Sequence, residues 1–230
     1  AELVHRYGCT VVLCTATQPS LGEMFASYGC PVREIAHEPQ ALYERLRRTE
    51  YRFVGKIEDE ALADRLASHK QALCVVNSRK QAKALYDSAR RELGDDGGVY
   101  HLSTLMHPAH RERALAAIRR RLAAGKACRV IATSLIEAGV DVDFPVVYRA
   151  LAGVDSMVQC AGRCNREGKR PACESIVYLF DPKTSYGVPN DTAQKRSIAR
   201  SILLGIGVSL ENAGAESEGV PCDIGSLEAI

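Results

Sequence analysis

Arg163 and Arg166 stand in "DSMVQCAGRCNREG", Asp155 to Gly168, and a glycine with two acids, Gly139, Asp141 and Asp143, precedes them in "SLIEAGVDVDF". Each guanidinium offers a planar fork of donors with a permanent positive charge, so two near one helix end suit a spread anionic charge such as phosphate. If a helix starts with Asp155 as its N-cap, residues 155, 159 and 163 share a face. That lines up Asp155, Gln159 and Arg163 and leaves Arg166 just beyond. Val158 and Ala161 fall on the opposite side, and Gly162 admits a close neighbour, either backbone or ligand. The same spacing suits two surface arginines paired with Glu167 or Asp155, so an anion site and a solvated ion-pair face both fit.

What must position these groups is an alternation of short β-branched runs with longer amphipathic stretches, the pattern of βα units around a parallel sheet. Strands are expected at Thr10–Thr15, Ala72–Asn77, Val99–Leu102, Arg129–Thr133, Val146–Tyr148 and Ile176–Phe180. Helices are expected near Glu58–Ser68, Arg79–Leu93, Pro108–Ala124, Ser156–Cys164 and Asp191–Leu204, with Pro108 in a first turn. Because Asn77, Thr133 and Asp141 each follow a strand-like run, they are expected at the carboxyl ends of the strands, where open α/β sheets bind ligands. From Ala213 to Ile230 the pattern dissolves. The first residues read as the tail of a helix running straight into a strand, which suggests a cut from a larger protein.

With 230 residues, 46% hydrophobic and 25% charged, the chain has ordinary globular composition and room for one large or two small domains. No apolar run approaches membrane-spanning length and no signal-peptide layout opens the chain, so a cytoplasmic protein without a membrane partner is expected. Nine cysteines without a C-x-x-C pair favour reduced, buried thiols over a metal site. A formal charge of +2 does not by itself argue for nucleic acid, but Arg111, Arg113, Arg119, Arg120, Arg121, Lys126 and Arg129 face one acid, Glu112. That basic run fits a nucleic-acid contact or a solvated helix face.

The two quoted stretches resemble motifs V and VI of superfamily two helicases, and in detail those of the CRISPR-associated helicase-nucleases of type I interference systems. "VVLCTATQP", Val11 to Pro19, is similar to the same family's motif III. The resemblance runs from Thr10 to about Phe180. It implies a RecA-like (P-loop NTPase-type) α/β fold, with residues 1–48 as the end of a first lobe and a linker, 49–185 as the second helicase lobe, and 186–230 as a helical extension and tail. It implies ATP with Mg2+ as cofactor, held mainly by a first lobe, and single-stranded DNA, that lobe, a nuclease domain and a CRISPR surveillance complex as partners. Arg163 and Arg166 would be arginine fingers and Gln159 part of the γ-phosphate face, while Gly139, Asp141 and Gly162 would meet the nucleotide. Ser78, Arg79, Thr133, Ser134 and Arg111 would touch nucleic acid, as would Asn77, and Thr15, Ala16 and Thr17 would couple ATP state to strand movement. Where the family commonly reads Gln-Arg-x-Gly-Arg-x-x-Arg, this chain has Cys160 at the second position, and arginine there is expected to be tolerated.

No G-x-x-x-x-G-K-[ST] loop occurs, so the chain alone is not expected to hydrolyse ATP. Gly162 to Arg170 is a near miss, with one residue too many between the glycines, and Asp181 at the end of an apolar run only mimics a magnesium-binding acid. Two other readings keep the fold: another superfamily two lobe, such as that of a DEAH-type RNA helicase, or a regulator that binds nucleic acid without turnover.

Overall fold

The computed structural model describes residues 1–13, 22–94, 97–137, 139–210 and 218–222. Among the described residues two compact units emerge, one within residues 1–47 and the other within residues 48–222. The first carries three short helices among its described residues, α1 (Glu2–Tyr7), α2 (Gly22–Ser27) and α3 (Pro39–Leu46). Thr10 to Leu13 form no strand there, contrary to expectation, and Val11, Val12 and Leu13 are exposed. A strand needs a neighbour for its backbone groups, and none of the described residues pairs with this run. Cys14, Thr15, Ala16 and Thr17 lie outside the described residues.

In the second unit the order is β1 (Glu50–Ile57), α4 (Asp59–Ser68), β2 (Gln71–Val75), α5 (Arg79–Leu93), β3 (Val99–Leu102), α6 (Pro108–Ala123) and β4 (Cys128–Ala132). A 3-10 turn, Ser134–Ile136, leads on to β5 (Val146–Ala150), α7 (Val154–Ala161), β6 (Ile176–Pro182), α8 (Asn190–Gly205) and β7 (Val220–Pro221). The sheet runs β3-β4-β2-β5-β6-β1-β7. Its neighbours are parallel except for β7, which pairs antiparallel with β1.

Burial explains why these segments become strands and helices. Residues Ala72 to Val76 and Cys128 to Ala132 are buried without a break, as central parallel strands covered on both faces must be. On one face Leu62 and Leu66 of α4, with Ala82, Leu85 and Ala89 of α5, join Cys74, Val76, Ile131, Tyr148, Ala150 and Phe180 in one core. The helical apolar residues recur at three-to-four spacing, which keeps one face toward the sheet. Strand alternation sends Leu73, Val75, Val147 and Arg149 to the other face. Helix α6 opens with Pro108 as expected, behind a His107 cap whose Nδ1 accepts from the Ala109 amide at 3.3 Å.

Strand β1 is absent from the expected set, and its bulge shows why. Tyr51 and Phe53 alternate with half-buried neighbours, but Val54 and Gly55 are then buried in succession and the register with β6 shifts between Phe53 and Lys56. Gly55 takes φ 75°, which a bulge of this kind requires and a side chain resists. The tail is not wholly irregular either, because Val220 and Pro221 add a short edge strand and the Cys222 amide bonds the Tyr51 carbonyl at 3.0 Å. Among the described residues, no helix is long and apolar enough to cross a membrane.

Candidate functional site

At the carboxyl ends of the adjacent strands β2 and β4, Asn77 and Thr133 follow the last paired residues, Val75 and Ala132. Ser78 is the buried residue before α5, and Arg79, exposed, opens that helix. Thr133 is 6% exposed and its Oγ1 has no partner, an unusual state for a buried hydroxyl. Ser134 beside it is exposed. Ser78, Arg79, Thr133 and Ser134 therefore share one end of the sheet. Arg111 stands apart on α6, half-buried. The Asn77 side chain turns inward instead, its Nδ2 donating to the Leu151 carbonyl at 2.7 Å and its Oδ1 accepting from Arg149 at 2.7 Å.

Asp141 is not at that end. It lies on the connection that returns from β4 toward the start of β5, where its carboxylate pairs with Arg166 Nε at 2.7 Å and its carbonyl accepts from Arg119 Nε at 2.9 Å. Here the chain crosses the residues that follow α7: Phe144 and Cys164 form a parallel bridge, with Phe144 N to Arg163 O at 2.9 Å and Asn165 N to Phe144 O at 3.0 Å. Asp143 receives the Arg166 amide at 2.8 Å and pairs with Arg170 at 3.3 Å. The fully buried Asn165, at φ 47°, holds the loop together by donating to the carbonyls of Arg48 and Arg170 at 2.9 and 2.7 Å. The near-miss phosphate loop is therefore a turn built around an asparagine.

Helix α7 begins one residue before Asp155, with Gly153 as its N-cap, and ends at Ala161. Asp155 therefore sits in the first turn and not at the cap, and Arg163 leaves the helix axis, so it does not share the face that exposed Gln159 occupies. Arg163 is 8% exposed, its Nε donating to the Ile136 carbonyl at 3.1 Å and its Nη2 to that of Glu137. Burial, and then the neighbouring Arg166 guanidinium, holds Arg163 below the usual arginine range. An anion beside the pair would relieve both effects. Gly162 is exposed, and a Cβ there would meet the carbonyls of Gln159 and Val158, at 3.3 and 3.7 Å, and no side chain. Gly139, exposed at φ 68°, has open space around it.

Three residues that pattern and spacing do not single out form a polar group around a buried arginine. Arg149, 1% exposed on β5, places Nη2 3.0 Å from Glu137 Oε1 and 2.7 Å from Ser156 Oγ, which donates to Glu137 Oε2 at 2.8 Å. Burial pushes the Glu137 carboxyl up while Arg149 and Ser156 hold it down. The one legible signal is an arginine inside an otherwise apolar strand, "VVYRALA".

The structure narrows other expectations. Arg129 belongs to no surface patch: it is buried and donates to the carbonyls of Leu66, Gly97 and Ala67 at 3.1, 2.9 and 2.9 Å. Cys160 is fully buried, its thiol pushed up to about 12 chiefly by burial, so an arginine at that position has neither room nor solvent. Asp181 is an acid for two arginines of α8, Arg196 and Arg200. Six of the eight described cysteines are buried, and among the described residues no three His, Cys, Asp or Glu side chains gather as a metal site.

Residues 68–169 match the protein family described as CRISPR-associated nuclease/helicase Cas3, C-terminal. A CRISPR-associated nuclease/helicase Cas3 of Methanothermobacter thermautotrophicus is 29% identical over 208 residues, 80% of this chain and 24% of the relative, so the chain spans about a quarter of that protein's length. A crystal structure of T. fusca Cas3-ADP is similar in fold, with TM-score 0.58 at 17% identity over 87% of this chain and 24% of that one. A chain of a CRISPR RNA-guided surveillance complex, pre-nicking, gives TM-score 0.56 at 18% identity over 87% and 26%. The parallel sheet with its flanking helices has the RecA-like fold of these structures, and residues 68–169 are similar to the C-terminal part of Cas3 proteins.

Proposed function

We propose that this lobe is the second half of an ATP-driven DNA motor in a CRISPR helicase-nuclease, and that Arg163 and Arg166 reach a nucleotide held by another lobe of the same protein. The observation that carries this reading is the convergence of two guanidiniums beside Asp141, one buried and aimed by backbone carbonyls, the other 42% exposed with only its Nε committed to a carboxylate. Fixed donors in a partly dry site act where charge develops, because they need no reorganisation as the reaction proceeds. Gly139, Gly162 and Gln159 are exposed around them and would border the nucleotide. The guanidiniums fit a polyphosphate; the described carboxylates form no cluster for Mg2+, which is assigned to residues outside this lobe.

Single-stranded DNA is placed along the sheet end that carries Ser78, Arg79, Thr133 and Ser134, with Arg111 as an outlying contact. The exposed Arg79 and Ser134 support this, since both offer donors that a phosphate oxygen can reach. Thr15, Ala16 and Thr17 are proposed to couple the two sites. A CRISPR surveillance complex is the proposed partner and the cytoplasm the proposed compartment. The test is DNA-stimulated phosphate release by the full-length protein. Arg163→Ala and Arg166→Ala should each lower turnover by about 100-fold or more while DNA affinity changes by about twofold or less. Turnover near that of the parent in both variants would return the two arginines to surface and structural ion pairing.

A further inference from the structure

A buried ion pair is no bargain for stability: taking both charges out of water offsets most of their attraction, and an apolar pair of the same volume often serves as well. Glu137 and Arg149, with side chains 8% and 2% exposed, are such a pair, and what they fix is geometry. Arg149 Nη1 donates to Asn77 Oδ1 at 2.7 Å and to the Ala150 carbonyl at 3.0 Å, while Nη2 faces Ser156 and Glu137. The Ser156 hydroxyl accepts from Arg149 and donates to Glu137, so its hydrogen-bonding capacity is matched on both sides. One guanidinium thus ties the end of β2, the end of β5, the first turn of α7 and the end of the 3-10 turn.

The other end of Glu137 is its carbonyl, and that carbonyl with its neighbour from Ile136 receives Arg163. The side chain of Glu137 and the two carbonyls that aim Arg163 are separated by a few covalent bonds. Both carbonyls sit at the end of the Ser134–Ile136 turn, where the Glu137 amide closes on the Ser134 carbonyl at 3.0 Å, so the segment has little slack. Moving the carboxylate moves the carbonyls. A shift of about 1 Å in a reacting group can cost ~100-fold in rate without touching the chemistry.

We propose that Glu137 and Arg149 are positioning residues that set where the Arg163 guanidinium sits, acting through the backbone of the Ser134–Ile136 turn; this rests on the reading of Arg163 as a nucleotide-contacting group. Ser156 completes the device by bridging the two charges. Asn77, in the same network, serves to hold Arg149 and not to contact nucleic acid with its side chain.

A double-mutant cycle in the full-length protein tests this, with Glu137→Gln, Arg163→Ala and the pair compared in DNA-stimulated ATPase assays. Glu137→Gln should lower kcat by about 10-fold with KM for ATP within about twofold, and in the Arg163→Ala background it should add less than about twofold, because both changes act on one contact. Ser156→Ala, which keeps both charges, should give about a 3-fold fall that is masked in the same way. Thermal unfolding of each variant reports whether it is folded. Equal losses in both backgrounds, or no loss in either, would overturn the positioning role. So would failure of both Glu137→Gln and Ser156→Ala to fold, which would make the network purely structural. If Arg163→Ala alone leaves turnover intact, the nucleotide-contacting reading fails and this inference with it; an impaired Arg163→Ala with additive Glu137→Gln defeats the inference alone.

Discussion

Cys160 follows Gln159 on α7, and its surroundings decide what can replace it. The family pattern commonly has arginine at this position, and a sequence comparison alone invites that exchange. In this chain the side chain is fully buried and lies in the field of Arg149, Glu137 and Arg163. A guanidinium there would be overpacked and would add a positive charge to a network whose carboxylate already serves Arg149. Cys160→Arg should destabilise the protein by about 3 kcal/mol or more, read as a lower urea midpoint, whereas Cys160→Ala should cost about 1 kcal/mol. A midpoint unchanged by Cys160→Arg would mean that the site opens more readily than its packing indicates. Residue chemistry was legible in part. Two guanidiniums and an acid near one another could be read from "GVDVD" and "GRCNR", and the structure does join Arg166 to Asp141. That Arg163 is buried on carbonyls of the turn after β4 could not, because spacing along one helix says nothing of where that helix ends.

Among the elements, helix α8 is fastened by a single carboxylate. Asp181, 2% exposed at the end of β6, takes both Arg196 and Arg200, whose side chains are 23% and 37% exposed. Asp181→Asn would leave two guanidiniums facing each other across a neutral amide. Allowing for their partial exposure to solvent, the cost should be about 2 kcal/mol, with amide exchange rising first in α8. Unchanged exchange there would show that apolar contacts, including buried Ala199 and Leu203, hold the helix without the pair. The strands β2, β3, β4, β5 and β6 and the helices α4, α5, α6 and α8 follow from periodicity because they obey it. Strand β1 escapes because its Gly55 bulge places Val54 and Gly55 in the core in succession, and the run Thr10–Leu13 misleads because β-branched residues alone do not supply a pairing partner. For α7, Asp155 marked the start within a residue or two, but the last turn was read too long because Gly162 and Arg163 continue an amphipathic pattern that the backbone abandons.

On the scale of the molecule, charge is spread thinly. The net formal charge is +2, and of the basic run after Arg111 several members are already committed: Arg129 is buried, Arg119 donates to the Asp141 carbonyl at 2.9 Å, and Arg121 to that of Ala127 at 2.8 Å. With about four phosphate contacts left to this lobe, its share of the slope of log affinity for single-stranded DNA against log salt should be about −3. Arg79→Ala and Arg111→Ala in the full-length protein should each flatten the slope by about 0.7. Variants that lose affinity equally at all salt concentrations would place those arginines on something other than phosphate. The central claim is that Arg166 contributes to the chemical step and not to capture of the nucleotide. Single-turnover phosphate release by the full-length protein, with DNA saturating and nucleotide affinity measured in the same samples, separates the two directly. The account predicts that Arg166→Ala slows the step by about 100-fold while nucleotide Kd changes by less than about fivefold; an unchanged single-turnover rate with weakened nucleotide binding would contradict it.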